Sequence, residues 1–205
     1  PKALVPVAGK PMLERVILRL KEAGFNEITV NIHHFGEQII DFLRAHDNFG
    51  TEIHISDERG MLLDTGGGIK KARPFLEDKT FLVHNADILT DIDLAGSTAT
   101  IWRAMRVYPA CERAQDFPLS PFLTSDYHLH GWINKSTGEV KPAASTTGNE
   151  DRELAFGGIH IISPSLFHLM DDGRAMQIVI AADGLAVRTA QERRHAPIVG
   201  NVRSR

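Results

Sequence analysis

Apolar positions along this chain follow two rhythms, one of period 3.6 and one of period two. Leu13, Val16, Ile17 and Leu20 recur at i, i+3, i+4 and i+7, the spacing of one buried helical face. Pro11 suits the first helical position, where a missing N–H costs nothing, and Gly24 suits a C-terminal cap. Glu27 to His33 is β-rich and reads as a strand. Gly36 to His46 places Ile39, Ile40, Phe42 and Leu43 on a second helical pattern. Thr51 to Ser56 alternates polar and apolar residues, as a half-buried strand does. Thr65 to Leu76 predicts a short helix that opens at three glycines and stops near Pro74. Thr80 to His84 is a short apolar run, typical of a strand covered on both faces. Strands alternating with helices at this spacing predict a doubly wound α/β sheet. Ligands in such sheets bind at the carboxyl ends of strands, which points to the loops after His33, Ser56 and His84.

Beyond Leu94 the rhythm weakens. Ala95 to Asp126 has poor periodicity, and Pro109, Pro118 and Pro121 break any long element. Tyr127 to Val140 reads as two strands, or a strand and a turn, around Lys135 to Gly138. Phe156 to Ile162 reads as a strand, and Ser163-Pro164 then opens a short helix through Met170. Asp171 to Arg205 shows no clear pattern.

The 205 residues suit a single domain, residues 1–205, with an ordinary globular share of hydrophobic (42%) and charged (24%) side chains. A net charge of −3 supplies no global field to recruit nucleic acid or an anionic membrane, so a polyanion must be met by a local site. Cys111 is the only cysteine, which excludes an internal disulfide and fits a reducing cytoplasm. No apolar run approaches a transmembrane length, and no signal peptide is visible. The ten histidines are scattered without an H-E-x-x-H pattern, so zinc is not expected. His33-His34 reads as a polar edge pair, and Trp102 and Trp132 read as packing residues.

Four places offer chemistry. The first is the loop holding Lys2 and Lys10 ahead of the first helix, either a phosphate-binding start or a pair of solvated lysines. The second is Gly66-Gly67-Gly68, where a backbone can approach something flat or charged, or simply turn. A dinucleotide fingerprint using Gly66, Gly68 and Asp87 is opposed by Lys71, which stands where the third glycine should. A P-loop is excluded because no G-K-[ST] follows. The third is Asp87, a carboxylate just past an apolar strand, able to hold Mg²⁺ or to cap a turn. Asp91 and Asp93 read as solvated or capping. The fourth is Gly158, which either admits a close neighbour or marks a bulge.

Taken together these segments resemble the sugar-1-phosphate nucleotidyltransferases. Pro1-Lys2-Ala3-Leu4-Val5-Pro6-Val7-Ala8-Gly9-Lys10-Pro11-Met12-Leu13 is similar to the family's P-K-x-L-x-P-V-x-x-K-P-M-L, Thr65-Gly66-Gly67-Gly68-Ile69 to its T-[AG]-G-[GA]-[IL], and Asp87 to its strand-end aspartate. The resemblance implies a Rossmann-like mixed sheet of the nucleotide-diphospho-sugar transferase type, and nucleotidyl transfer from GTP or UTP to a sugar 1-phosphate. It implies Lys2 as a phosphate ligand, Asp87 as the Mg²⁺ ligand, and Thr65, Gly66, Gly67 and Asn85 as nucleotide contacts. Gly158 resembles a glycine beside the sugar. Lys141 resembles the lysine of an E-K-P motif that meets the sugar phosphate, although Val140 stands where the glutamate should be. The closest flavours are the mannose-1-phosphate guanylyltransferase and N-acetylmuramate-1-phosphate uridylyltransferase groups.

Residues 1–94 and 127–170 match the family, whereas 95–126 and 171–205 do not. The first strand with its G-x-G-x-R loop does not precede Pro1, and no late metal-binding aspartate follows Met170. These departures predict a sheet with a gap or open edge where the first strand belongs, a tendency to associate with another chain, and little turnover by this chain alone. The alternative they leave is a catalytically inactive nucleotide-binding or regulatory domain on the same fold.

Overall fold

A computed structural model of the chain describes residues 1–95, 106–109, 119–123, 129–141, 152–153, 156–170, 176–181, 184–189 and 197–201. The first half carries a hairpin of β1 (Pro6–Val7) and β2 (Lys10–Pro11), then α1 (Met12–Glu22), β3 (Glu27–Ile32), α2 (Gly36–Ala45), β4 (Glu52–Asp57), α3 (Asp64–Lys71), α4 (Arg73–Leu76) and β5 (Phe81–Asn85). The described residues of the second half are mostly strand: β6 (Arg106–Pro109), β7 (Leu119–Leu123), β8 (Leu129–Asn134), β9 (Glu139–Lys141), β10 (Arg152–Glu153), β11 (Phe156–Ile162), β12 (Met176–Ala181), β13 (Gly184–Thr189) and β14 (Pro197–Asn201).

In α1, the face that the spacing predicts is the face that is buried. Leu13, Val16, Ile17 and Leu20 are each at most 2% exposed, and each contributes about 1.5–3 kcal/mol by leaving water. The helix ends as its glycine predicts. Gly24 has φ +94, its N–H donates to Lys21 O, and Phe25 N–H donates back to Leu20 O. That pair of bonds is a Schellman motif, and Phe25 completes it by joining Leu20 in the core. Pro11 corrects the expectation by one place. It is the N-cap, with an extended ψ of 144°, because it pairs with Pro6 in the hairpin. The hairpin turns at Ala8 and Gly9, with φ +47 and +80, the left-handed pair that a two-residue primed turn requires.

The main sheet has six strands in the order β4-β3-β14-β5-β11-β6. β3 and β4 are parallel, β14 is antiparallel to both β3 and β5, and β11 is antiparallel to β5 and β6. One face packs α1 and α2 around Ile17, Leu20, Ile28, Val30 and Leu82. The other packs α3, α4 and the 3₁₀ helix Pro164–Leu169 around Ile69, Leu76, Phe81 and Phe167. This is the doubly wound mixed sheet expected from the alternation of elements. A smaller sheet of order β10-β7-β8-β9 and a hairpin of β12 with β13 complete the described residues.

Three further expectations change. No gap lies between β3 and β5, because β14 occupies that position. Ile198 pairs with Val30 on one side and with His84 on the other, so the backbone groups that would face an empty slot are bonded. The helix expected over 65–76 is two helices that break at Ala72, and Pro74 lies in the opening turn of the second rather than ending the first. The stretches without periodicity also hold short strands. Proline is tolerated in them because β6 is an edge strand ending at Pro109, and Pro121 lies outside the Phe122–Leu123 stretch that pairs with β10. Trp102 and Cys111 lie outside the described residues, as does the side chain of Trp132. No helix among the described residues is long and apolar enough to cross a membrane.

Candidate functional site

The end of β5 gathers three of the residues singled out in the sequence. The buried strand stops at Asn85, and Ile88 N–H returns to Asn85 O at 3.3 Å, closing a turn that presents Asp87 to solvent. No described residue bonds to the Asp87 carboxylate. Across the sheet, Ile159 pairs with His84, which sets Gly158 beside Asn85. A Cβ on Gly158 would lie 2.8 Å from Asn85 Nδ2 and would run into Ile88 Cδ1. Gly158 also has φ +65, and the β11–β6 register shifts between Phe156 and His160. The glycine is therefore both a bulge and a point of close approach.

A cavity of about 450 Å³ lies between α1 and this strand end, lined by Lys10, Arg15, Arg19, Glu22, His84 and Ile88 among others. Three cations against one carboxylate suit an anionic ligand. Arg15 holds the hairpin, donating from Nε to Val7 O at 2.8 Å and from Nη2 to Ala8 O at 2.9 Å. Arg19 holds the segment after Asp87, donating from Nη2 to Ile92 O at 3.0 Å. Lys10 pairs with Glu14 at 3.0 Å. His84 is 2% exposed and donates from Nδ1 to Asn85 O at 2.8 Å. Burial pushes its pKa below the usual imidazole value, and the bond to Asn85 only partly opposes this. Arg15 and Arg19 were not singled out in the sequence. Their i, i+4 spacing on the polar side of α1 was the available signal.

The remaining expected residues lie elsewhere. Lys2 is exposed in an N-terminal 3₁₀ turn, Lys2–Leu4, and no described residue bonds to its ammonium. Thr65, Gly66 and Gly67 are in the first half of α3. Thr65 is half-buried and the two glycines are buried, with α3 lying against β12. Lys141 ends β9 opposite Trp132, and its side chain lies outside the described residues. Asp93 is a local cap, accepting Ala95 N–H at 3.0 Å. His33 and His34 meet edge to face at 4.3 Å.

A second acidic group sits at the opposite end of the sheet. Glu27 and Glu52 face each other where β3 and β4 begin, and His54 Nε2 lies 3.1 Å from Glu27 Oε1. His54 also stacks on Phe75 at 4.5 Å. Because β3, β4 and β5 run in the same direction, this group is a full strand length away from Asp87.

Comparison with known proteins shows the family and the fold. Residues 1–140 match the family model described as the MobA-like NTP transferase domain. The N-acetylmuramate alpha-1-phosphate uridylyltransferase of Neisseria meningitidis serogroup B is 45% identical over 189 residues, covering 87% of this chain and 73% of that one. The enzyme of the same name from Caulobacter vibrioides is 32% identical over 206 residues, covering 94% and 80%. Among solved structures, HddC from Yersinia pseudotuberculosis superposes with a TM-score of 0.65 at 22% identity, over 82% of this chain and 69% of that one. A UDP-glucose pyrophosphorylase bound to UDP-glucose gives a TM-score of 0.58 at 14% identity, over 85% and 72%. The last two likenesses are likenesses of fold.

Proposed function

This chain belongs to the family of MobA-like NTP transferase domains, and we propose that the sugar-1-phosphate nucleotidyl transfer it performs uses UTP and N-acetylmuramate α-1-phosphate. The names of the two relatives that align over most of the chain support uridine over guanosine and the N-acetylmuramate sugar over mannose. An oxygen of the sugar phosphate attacks the α-phosphorus of UTP. The new P–O bond forms as the bond from the α-phosphorus to the bridging oxygen breaks, and pyrophosphate leaves. Such a reaction depends on alignment and charge neutralisation more than on covalent catalysis.

The observation that carries this reading is Asp87, an exposed carboxylate without a described partner, flanked by Asn85 and by Gly158 across the sheet. A carboxylate so placed fits Mg²⁺, which takes one or two carboxylates together with phosphate oxygens and water. Bound there, the ion would neutralise phosphate charge. Asn85 offers an amide at the strand end beside Asp87, and the missing side chain of Gly158 leaves the room that Asn85 and Ile88 occupy. Lys2 supplies an ammonium for the phosphates, and the cationic cavity beside His84 favours the same charge. The base reaches α3 at its half-buried Thr65 end, since Gly66 and Gly67 are covered beside β12.

Pyrophosphate release from a matrix of UTP, GTP and CTP against N-acetylmuramate, N-acetylglucosamine, glucose and mannose 1-phosphates tests the proposal. The expected result is a kcat/KM for UTP with N-acetylmuramate 1-phosphate at least about tenfold above every other pair. A preference for GTP with mannose 1-phosphate overturns the choice of substrates, and no turnover of any pair overturns the reading.

A further inference from the structure

Glu58 is 1% exposed, directly after β4 and beneath the glycine helix. A carboxyl is costly to bury unless its oxygens are bonded, and here both are engaged. Oε1 accepts Asn31 Nδ2 from β3 at 2.8 Å, and Leu63 N–H reaches Oε2 at 3.4 Å. The backbone is tied as well. Glu58 N–H donates to Ile32 O at 2.8 Å, extending the β3–β4 pairing by one bond, and Met61 N–H closes a turn onto Glu58 O at 3.0 Å. Leu63 is the N-cap of α3 and gives it no side-chain cap. The first N–H groups of a helix need acceptors and favour negative charge nearby, and Glu58 brings a carboxylate to that end from the sheet.

Gly68 shows why the third residue of the run is glycine. A Cβ there would lie 2.5 Å from Asn31 Nδ2 and 2.5 Å from Glu58 Oε1. Its lack of a side chain lets α3 rest directly on the buried pair. On a helix of 3.6 residues per turn, Gly67 and Gly66 are rotated by about 100° and about 200° from Gly68. A helix seated on Glu58 through Gly68 therefore turns Gly66 away from Glu58, while Gly66 stays buried and Thr65 is half-buried.

We propose that Glu58 is a positioning residue for the nucleotide: through Asn31, Gly68 and the Leu63 N–H it sets the height and rotation of α3, and so where its half-buried Thr65 end meets the base. The proposal rests on the nucleotidyltransferase reading above. Glu58→Gln keeps the side-chain volume but turns one acceptor oxygen into a donor facing Asn31 Nδ2 or Leu63 N–H. The expected result is a KM for UTP raised about tenfold, with the KM for the sugar phosphate and the melting temperature nearly unchanged. Asn31→Asp combined with Glu58→Gln rebuilds the bond in reverse, the new amide at position 58 donating to the new carboxylate at position 31. That double variant is expected to return the UTP KM to within about threefold of the parent protein.

An unchanged UTP KM in Glu58→Gln overturns the proposal. So does a fall in melting temperature with both KM values raised alike and no rescue by the double variant. If Glu58→Gln does not fold, the double variant decides alone: a folded protein with the parent UTP KM supports the anchor, and a folded protein with a raised KM overturns it. If the parent protein turns over no nucleotide at all, the functional reading fails separately. Amide hydrogen exchange of 65–68 in the folded variant then decides the anchor. Exchange accelerated about tenfold and confined to α3 supports it, and unchanged exchange overturns it.

Discussion

Gly158 stands beside Asn85 across the β5–β11 pair, so close that a Cβ on Gly158 would lie 2.8 Å from Asn85 Nδ2. The same Cβ would displace Ile88. Asn85 and Ile88 bracket Asp87 in the chain, so the missing side chain at 158 and the placement of the carboxylate at 87 are one geometric fact.

Gly158→Ala is therefore expected to act twice. Crowding of Ile88 and Asn85 should cost about 1–3 kcal/mol of stability, and the left-handed φ of +65 adds about 1–2 kcal/mol. Displacing the segment that carries Asp87 should also lower turnover. Urea unfolding and pyrophosphate release on the same sample check both. Full activity in a destabilised variant would separate Gly158 from the site.

Asp87→Asn should leave the melting temperature unchanged, because the side chain is exposed and no described residue bonds to it. It should lower Mg²⁺-dependent turnover by about 10²–10³, the usual cost of one lost charge contact in a transition state. Turnover measured against Mg²⁺ concentration distinguishes a lost ligand from a lost fold.

Stability should fall as the pH drops from about 7 to 5. His84 and His33 both have pKa values below the usual 6.5, with burial as the first cause in each. Above 6.5 neither state binds the proton. Below it the unfolded chain takes up protons that the folded chain refuses, so unfolding gains free energy as the pH falls toward the folded-state values. His84→Leu should flatten this slope in urea titrations across pH 5–8. Asp57 cannot account for the same window. Hydrogen bonds from the Arg59 side chain hold its carboxyl at about 2, so its contribution is complete above about 3.8 and is lost only between there and about 2.

Val199→Pro tests the strand that fills the centre of the sheet. Val199 is paired with Thr29 on β3 and Val83 on β5, and proline removes an N–H from a strand bonded on both sides. A loss of about 1–3 kcal/mol, the cost of leaving a buried partner unsatisfied, is expected. If Val199→Pro unfolds like the parent protein, β14 does not fill the slot.

The amphipathic face of α1, the strands at 27–32, 52–57, 81–85 and 156–162, and the Schellman end at Gly24 were legible in the sequence. Each is a local pattern, in which the spacing of apolar side chains or the freedom of one glycine decides the outcome. Asp87 was legible as well, because the end of an apolar strand is visible in one dimension. The convergence of Asn85, Gly158 and Ile88 was not, since it depends on the register between strands about seventy residues apart. The same holds for Glu58, an acidic residue in a polar stretch whose burial follows only from how α3 lies over Asn31.

By itself the sequence determined the periodicity, hence the elements, the two apolar faces and the order in which α/β units follow one another. Only the tertiary structure decided what lies between β3 and β5. Pro197 to Asn201 is a five-residue run with a polar and basic flank, too short to announce a central strand. It becomes one because two strands with unpaired backbone groups offer it hydrogen bonds on both sides, a driving force that no local pattern records.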